Sequence, residues 1–384
     1  MQLDVIALAQ ALIRCPSVTP DSEGVMDVLE SALAAIGFSV HREIFHEDGA
    51  APVENLYARI GETSPNICFA GHTDVVPVGD EAAWSYPPFG AEIHDGVLYG
   101  RGAEDMKGAI AAFIAAVARF VNSGMHKNGS ISLLITQDEE GIAINGTRKM
   151  LAWLKARGEL MDACIVGEPT NPEMLGDMIK IGRRGSISFT LHVLGKQGHV
   201  AYPERARNPI TSLVEILHAL KSHRMDEGTE HFPPSNLEIT SIDVGNPTGN
   251  VIPQSANAMF NIRFNTLHSR SSLESWVHET CKRFAGDNYS LEIRFTGEAF
   301  LTDNPNLTQT LMAAIHEVTG KTPALSTTGG TSDARFIKDM CPVIEFGTTG
   351  HTPHMVNECV RIDVLQQLSA IYETFLRRYF AEIS

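Results

Sequence analysis

Through the first half of the chain, apolar runs rich in β-branched residues alternate with segments of helical period: 67–70, 110–121, 131–136, 147–156 and 163–166. Strands covered on both faces read as unbroken apolar runs, so this alternation predicts a largely parallel sheet with crossover helices. The same rhythm resumes near the end, with a helix over 307–318, an apolar run at 342–346 and an amphipathic helix from 363 to about 380. Between them, from about 180 to 295, the order becomes strand (186–194), helix (209–220), strand (237–244), strand (256–264), helix (273–284) and strand (291–295). That is the β-α-β-β-α-β order of a ferredoxin-like unit, complete in itself. The expected architecture is α/β: a mostly parallel-sheet domain made of residues 1–179 and 294–384, into which a ferredoxin-like domain of residues 180–293 is inserted.

A length of 384 residues is in keeping with two or three domains, and 43% hydrophobic with 20% charged residues excludes a disordered chain or a coiled coil. The formal charge of -16 repels a phosphate backbone, which argues against nucleic acid as a partner. The longest apolar run, 109–118, is half of what a membrane-spanning helix needs, so no membrane partner is expected. Asp4 stands where a signal peptide needs basic residues, and Gln10 and Arg14 interrupt the apolar stretch, so the N-terminus reads as an amphipathic helix of the mature protein. The six cysteines form no CxxC, and Cys68, Cys164 and Cys341 lie in or beside apolar runs, as expected of reduced thiols in the cytoplasm.

The chain has no GxxxxGK[ST], GxSxG or HExxH, and its GRGAED segment has Asp105 where a dinucleotide fingerprint needs a third glycine. Instead, metal-type residues recur directly after the expected strands: His72 and Asp74 after ICFAG, Asp138, Glu139 and Glu140 after SLLITQ, Glu168 after ACIVG, and His354 in the loop after VIEFG, with Asp105 opening another loop. Ligands of open α/β sheets collect at the carboxyl ends of strands, so these groups should converge although they are far apart in sequence. Two imidazoles with several carboxylates suit zinc, with cobalt or manganese as substitutes. Taken singly, each residue also has an ordinary structural reading: a hydrogen-bonded histidine, a solvated acidic loop, a turn before Pro169. Their joint placement at successive strand ends is what favours a metal site.

In this order GHTDVVP, PPFGAEI, GVLYGRGAEDMKG, DEEG, GEPT and HMVNE resemble the dizinc aminoacylase and carboxypeptidase-type amidohydrolase family across nearly the whole chain. Within it, GRRGS, HVAYPERARNP, GNVIPQSA with FNIRFN, and STTGGTSDARF are similar to the branch acting on N-succinyl-LL-2,6-diaminopimelate rather than N-acetylornithine. The resemblance implies two Zn²⁺ per subunit, with Co²⁺ as a substitute: Asp105 bridges both, His72 and Glu168 complete one site, and Glu140 and His354 complete the other. It makes Glu139 the general acid/base on the metal-activated water, and Asp74 the residue orienting the His72 ring. It also implies a cis Asp105-Met106 peptide, and a homodimer formed through the inserted lid and dimerisation domain, with His199 supplied to the partner's site.

A small anionic substrate with several carboxylates needs local cations and donors. The candidates are Arg183, Arg263 and Arg335, with Asn250, Tyr202 and the Gly330-Thr331-Ser332 loop; Arg184 reads as solvated. Arg263 and Arg335 are equally readable as structural ion-pair partners. Two features depart from the family pattern. Glu104 precedes Asp105 where a small residue is usual, and His351 competes with His354 as a ligand. The rivals to this reading are an amidohydrolase acting on an N-acetylated amino acid or a dipeptide, and a non-catalytic metal- or peptide-binding protein on the same fold.

Overall fold

The computed structural model describes residues 3–47, 49–124 and 129–381. The chain divides into two compact units, one of Met1–Ile181, Thr302–Ser326 and Ser332–Ser384, the other of Gly182–Leu301 with Thr327–Thr331.

The first unit is built on an eight-stranded sheet. Its centre is parallel: Asn66–His72 lies between Ser130–Thr136 and Ala163–Val166, and Val343–Glu345 continues alongside Ala163–Val166. The hairpin of Ser39–Glu47 and Ala50–Ile60 adds an antiparallel edge against Ser130–Thr136. Every residue of Asn66–His72 and Ser130–Thr136 is buried, as the unbroken apolar runs required. Leu56 and Ala58 face the main core, while Tyr57 between them meets Trp153 of the helix Thr147–Ala156, so both faces of the sheet are covered.

The alanine-rich helix Gly108–Asn122 is buried almost all round, which explains why it carries no polar stripe. Phe113 stacks on Phe69 at 4.3 Å between ring centroids, and Tyr372 of the helix Ile362–Ala381 meets both rings edge-on. The Tyr372 hydroxyl donates to the Phe346 carbonyl at 2.6 Å, satisfying the one polar group in this packing.

The second unit has a four-stranded antiparallel sheet in the spatial order Asn236–Asp243, Ser255–Phe264, Gly185–Leu194, Tyr289–Gly297. The helices Pro209–Ser222 and Arg270–Ala285 pack on one face through Leu213, Ile216, Leu217, Leu273 and Val277. This is the ferredoxin-like arrangement. The unit extends past 293, since Tyr289–Gly297 pairs along Gly185–Leu194 and Phe300–Leu301 pairs with Gly182–Arg183.

Candidate metal centre

His72 ends one central strand, Glu139 and Glu140 follow the next, and Glu168 follows the third. Asp105 lies in the kinked segment Ala103–Lys107, where its own backbone is non-helical at φ -122° and ψ 93°, and its peptide to Met106 is cis. His354 sits in the loop after Val343–Glu345 at φ +64°, a left-handed conformation uncommon outside glycine that histidine adopts more readily than most residues.

These side chains meet in two groups that share one residue. The ligand atoms of His72, Asp105 and Glu168 lie within 4.8 Å of one another, and so do those of Asp105, Glu140 and His354. The two Asp105 oxygens divide between them: Oδ1 is 3.2 Å from His72 Nε2, and Oδ2 is 3.5 Å from His354 Nε2. His354 Nε2 is also 2.7 Å from Glu140 Oε1, and His72 Nε2 is 4.0 Å from Glu168 Oε1. The donor set, two imidazoles and three carboxylates around a shared bridge, fits two borderline-hard divalent cations.

His72 is oriented differently from the expected scheme. Its Nδ1 lies 2.9 Å from the backbone carbonyl of Asp74, while the Asp74 carboxylate is 3.6 Å away. A carbonyl only accepts, so Nδ1 carries the proton and Nε2 presents its lone pair to the site. The Asp74 carboxylate instead accepts the backbone amides of Glu139 at 3.3 Å and Glu140 at 3.0 Å. It therefore fixes the segment that carries these two glutamates. Burial pushes the Asp74 carboxyl up to about 6, against the lowering influence of the His72 ring and those two amides. Asp138 accepts the amides of Ala143, Ile144 and Asn145 and so shapes the turn that follows.

Electrostatics follow from crowding. Burial and the charges of Glu168, Asp333 and Glu140 raise the Glu139 carboxyl well above the usual range. Asp105 and then Glu140 push the His354 ring up to about 10. Burial opposes ionisation of Asp105, yet His354 and His72 hold its carboxyl well below the ordinary value. The carboxylates of this pocket attract cations strongly.

His351 is outside both groups, half exposed with Nε2 4.0 Å from Glu173. Glu104 is buried and turns its carboxylate to the loop before His354. Two residues without an assigned role in the sequence are also buried here: Arg101 and Glu358 pair at 2.7 Å. Both lie inside the quoted segments GRGAED and HMVNE, but nothing in their spacing reveals that they meet.

In the same unit, Ser332 Oγ donates to the buried Glu345 carboxylate at 2.5 Å, and Arg335 lies 3.8 Å from Asp333. In the second unit His199, Tyr202 and Asn250 come together: His199 pairs in register with Val251, its Nδ1 accepts the Ala201 amide at 3.0 Å, its ring is 5.7 Å from that of Tyr202, and the Asn250 carbonyl accepts the Val200 amide at 3.1 Å. Arg183 is buried and donates to the Gly330 carbonyl at 3.1 Å, holding the loop that also contains Thr331. Arg184 is not simply solvated: its Nε is buried without a partner among the described residues, Nη1 donates to Asn236 at 2.8 Å, and burial lowers its pKa. Arg263 is part-buried, and its pKa is lowered by burial and by Arg184.

Residues 68–378 match the model of peptidase family M20/M25/M40. Proteins named succinyl-diaminopimelate desuccinylase from Rhodospirillum centenum and Parvibaculum lavamentivorans are 58% and 55% identical to the chain, over 99% and 98% of its length and 98% and 96% of theirs. Among solved structures, the M20 family metallo-carboxypeptidase Sso-CP2 from Sulfolobus solfataricus superposes with a TM-score of 0.77 at 17% identity, covering 98% of this chain and 99% of that one. The Bacillus subtilis YXEP protein, described as a dinuclear metal binding peptidase from the M20 family, gives 0.69 at 16% identity, over 97% and 96%. With its sheet, its shared-aspartate donor groups and these full-length relatives, the chain belongs to peptidase family M20/M25/M40.

Proposed function

We propose that this chain is a metal-dependent amidohydrolase that cleaves N-succinyl-LL-2,6-diaminopimelate to succinate and LL-2,6-diaminopimelate, a step of lysine and diaminopimelate biosynthesis. The observation that carries the chemistry is Asp105 offering one oxygen to each of two donor groups, with the raised Glu139 carboxyl beside them. The substrate rests on the names of the full-length relatives.

His72, Asp105 and Glu168 would hold one Zn²⁺ and Asp105, Glu140 and His354 the other, with Co²⁺ as a substitute. When bound, such a pair supplies an acidified water and polarises the amide carbonyl. Glu139 takes the proton of the attacking water and returns it to the departing amine. Asp74 keeps Glu139 and Glu140 in register through their amides.

The inserted unit acts as lid and dimerisation domain, and His199 acts as oxyanion donor to the partner subunit's site. The lone pair of its Nδ1 is taken by the Ala201 amide, which puts the proton of a neutral ring on Nε2, the nitrogen such a donor must present. Substrate carboxylates fall to Arg183, Arg263 and Arg335, with Asn250, Tyr202, Gly330, Thr331 and Ser332 as polar partners. Arg263 is the best supported, being part-buried beside Arg184.

The test is a substrate panel on the zinc-loaded protein. N-succinyl-LL-2,6-diaminopimelate should be turned over well above N-acetylornithine and dipeptides; preference for an acetylated substrate would overturn the assignment.

A further inference from the structure

Asp105 is flanked by two buried carboxylates that take no place in either donor group. Glu104 points into the loop ahead of His354 and receives four donors from it. Its Oε1 accepts Thr349 Oγ1 at 2.7 Å and the His351 amide at 3.2 Å; its Oε2 accepts the Thr352 amide at 2.6 Å and Thr352 Oγ1 at 2.7 Å. Thr348 Oγ1 adds a bond to the Glu104 carbonyl at 2.7 Å. Glu358, four residues beyond His354, reaches the opposite way: its Oε1 accepts the amides of Glu104 and Asp105 at 3.0 and 3.1 Å, and its Oε2 takes Arg101 Nη1 at 2.7 Å. Arg101 in turn donates to the carbonyls of Met355 at 3.1 Å and His354 at 3.4 Å.

Each segment thus inserts a glutamate into the other. A buried carboxylate is tolerated only when its oxygens are hydrogen-bonded, and here most of those bonds come from the facing segment. The loop also needs holding. His354 and Asn357 both adopt left-handed backbone, at φ +64° and +61°, a conformation uncommon outside glycine even though His and Asn adopt it more readily than most residues.

We propose that Glu104 and Glu358 form a reciprocal latch that sets the distance between Asp105 and His354, and with it the affinity of the metal position made by Asp105, Glu140 and His354. Both are positioning residues, and the inference rests on the metal reading above. The two halves differ in reach. Glu104 holds only the His354 loop, whereas Glu358 also holds the backbone of the shared Asp105. Loss of Glu104 therefore weakens one metal position selectively, and loss of Glu358 weakens both.

The experiment is a stepwise Zn²⁺ titration of the metal-free full chain against a chelating dye, with thermal unfolding of the metal-free protein alongside. Wild type should bind two ions. Glu104→Gln puts an amide N–H₂ where donors converge; it should keep the first affinity within about threefold and weaken the second about 10- to 100-fold, as loss of groups that orient metal ligands typically does. Glu358→Gln should weaken both ions. If Glu104→Gln fails to fold, Thr349→Val and Thr352→Val, which delete two of the donors and keep the carboxylate, should show the same selective loss. Unchanged second-ion affinity in these variants overturns the latch. Equal weakening of both ions with a lowered unfolding temperature of the metal-free protein overturns it too, as a merely structural effect. A wild type that binds fewer than two ions overturns the metal reading and the latch with it.

Discussion

The proposed mechanism gives the neighbours Glu139 and Glu140 different tasks, and one buried residue, Asp74, holds the backbone of both. Asp74 accepts both backbone amides and so fixes the segment from which the two carboxylates leave. If Glu139 moves the proton and Glu140 holds metal, Glu139→Gln should keep both ions and lower kcat by about 10²- to 10⁴-fold, the range of general acid-base catalysis; kinetics on the variant with its metal content measured will check this. Stripping the metal with a chelator should lower the unfolding temperature. A ligand at 100 times its Kd stabilises the folded state by about 2.7 kcal/mol, which calorimetry with and without Zn²⁺ will read. At this scale the sequence was legible where a residue type and a strand end coincided, as at His72, Glu168 and Glu140. It was not legible where the partner is a backbone atom. The Asp74 carbonyl, rather than its carboxylate, receives His72 Nδ1, and no pattern of side chains announces that.

Elements with a strong burial contrast were read closely. The helix Thr147–Ala156 and the strand Ala163–Val166 match the periodicity residue for residue, and Gly108–Asn122 and Ser130–Thr136 differ from it by a residue or two. The hairpin Ser39–Glu47 with Ala50–Ile60 escaped, because its outer strand is half exposed and carries charges such as Arg42 and Glu43 on a weak alternation. Short strands such as Met178–Lys180 and Ala324–Ser326 are defined by their pairing and leave almost no local signal. Close approach between elements also sets a limit that composition hides. A Cβ at Gly167 would collide with the Phe69 ring and lie 2.7 Å from Met106 Cε. Gly167→Ala should therefore cost about 1–3 kcal/mol in denaturant unfolding, and it should also weaken metal binding, since Gly167 precedes Glu168 and Met106 follows Asp105.

For the whole molecule, the β-α-β-β-α-β order revealed an insertion that length alone could not, but the order does not say where the inserted unit ends. Strand pairing takes it to Leu301, and the same compact unit also includes Thr327–Thr331, a return crossing with no distinct periodicity. The proposed exchange of His199 across a dimer has a direct test. Mixing inactive Glu139→Gln with inactive His199→Ala protein should recover about a quarter of wild-type activity, because half of randomly paired dimers are mixed and each has one complete site. No recovery once subunit exchange is demonstrated would count against it. The discontinuity of the first unit also bears on how the protein is made. The chain leaves this unit at Ile181 and re-enters at Thr302, where the Thr302 amide donates to the Ile181 carbonyl at 2.7 Å. The strand Val343–Glu345 and the helix Ile362–Ala381, which complete its sheet and cover Gly108–Asn122, leave the ribosome only after the inserted unit. At about 5–20 residues per second, the ferredoxin-like unit has seconds to fold on the ribosome while the apolar N-terminal strands wait for their neighbours. In that interval the unit made later can fold before the one begun earlier, whose apolar strands stay uncovered the longest.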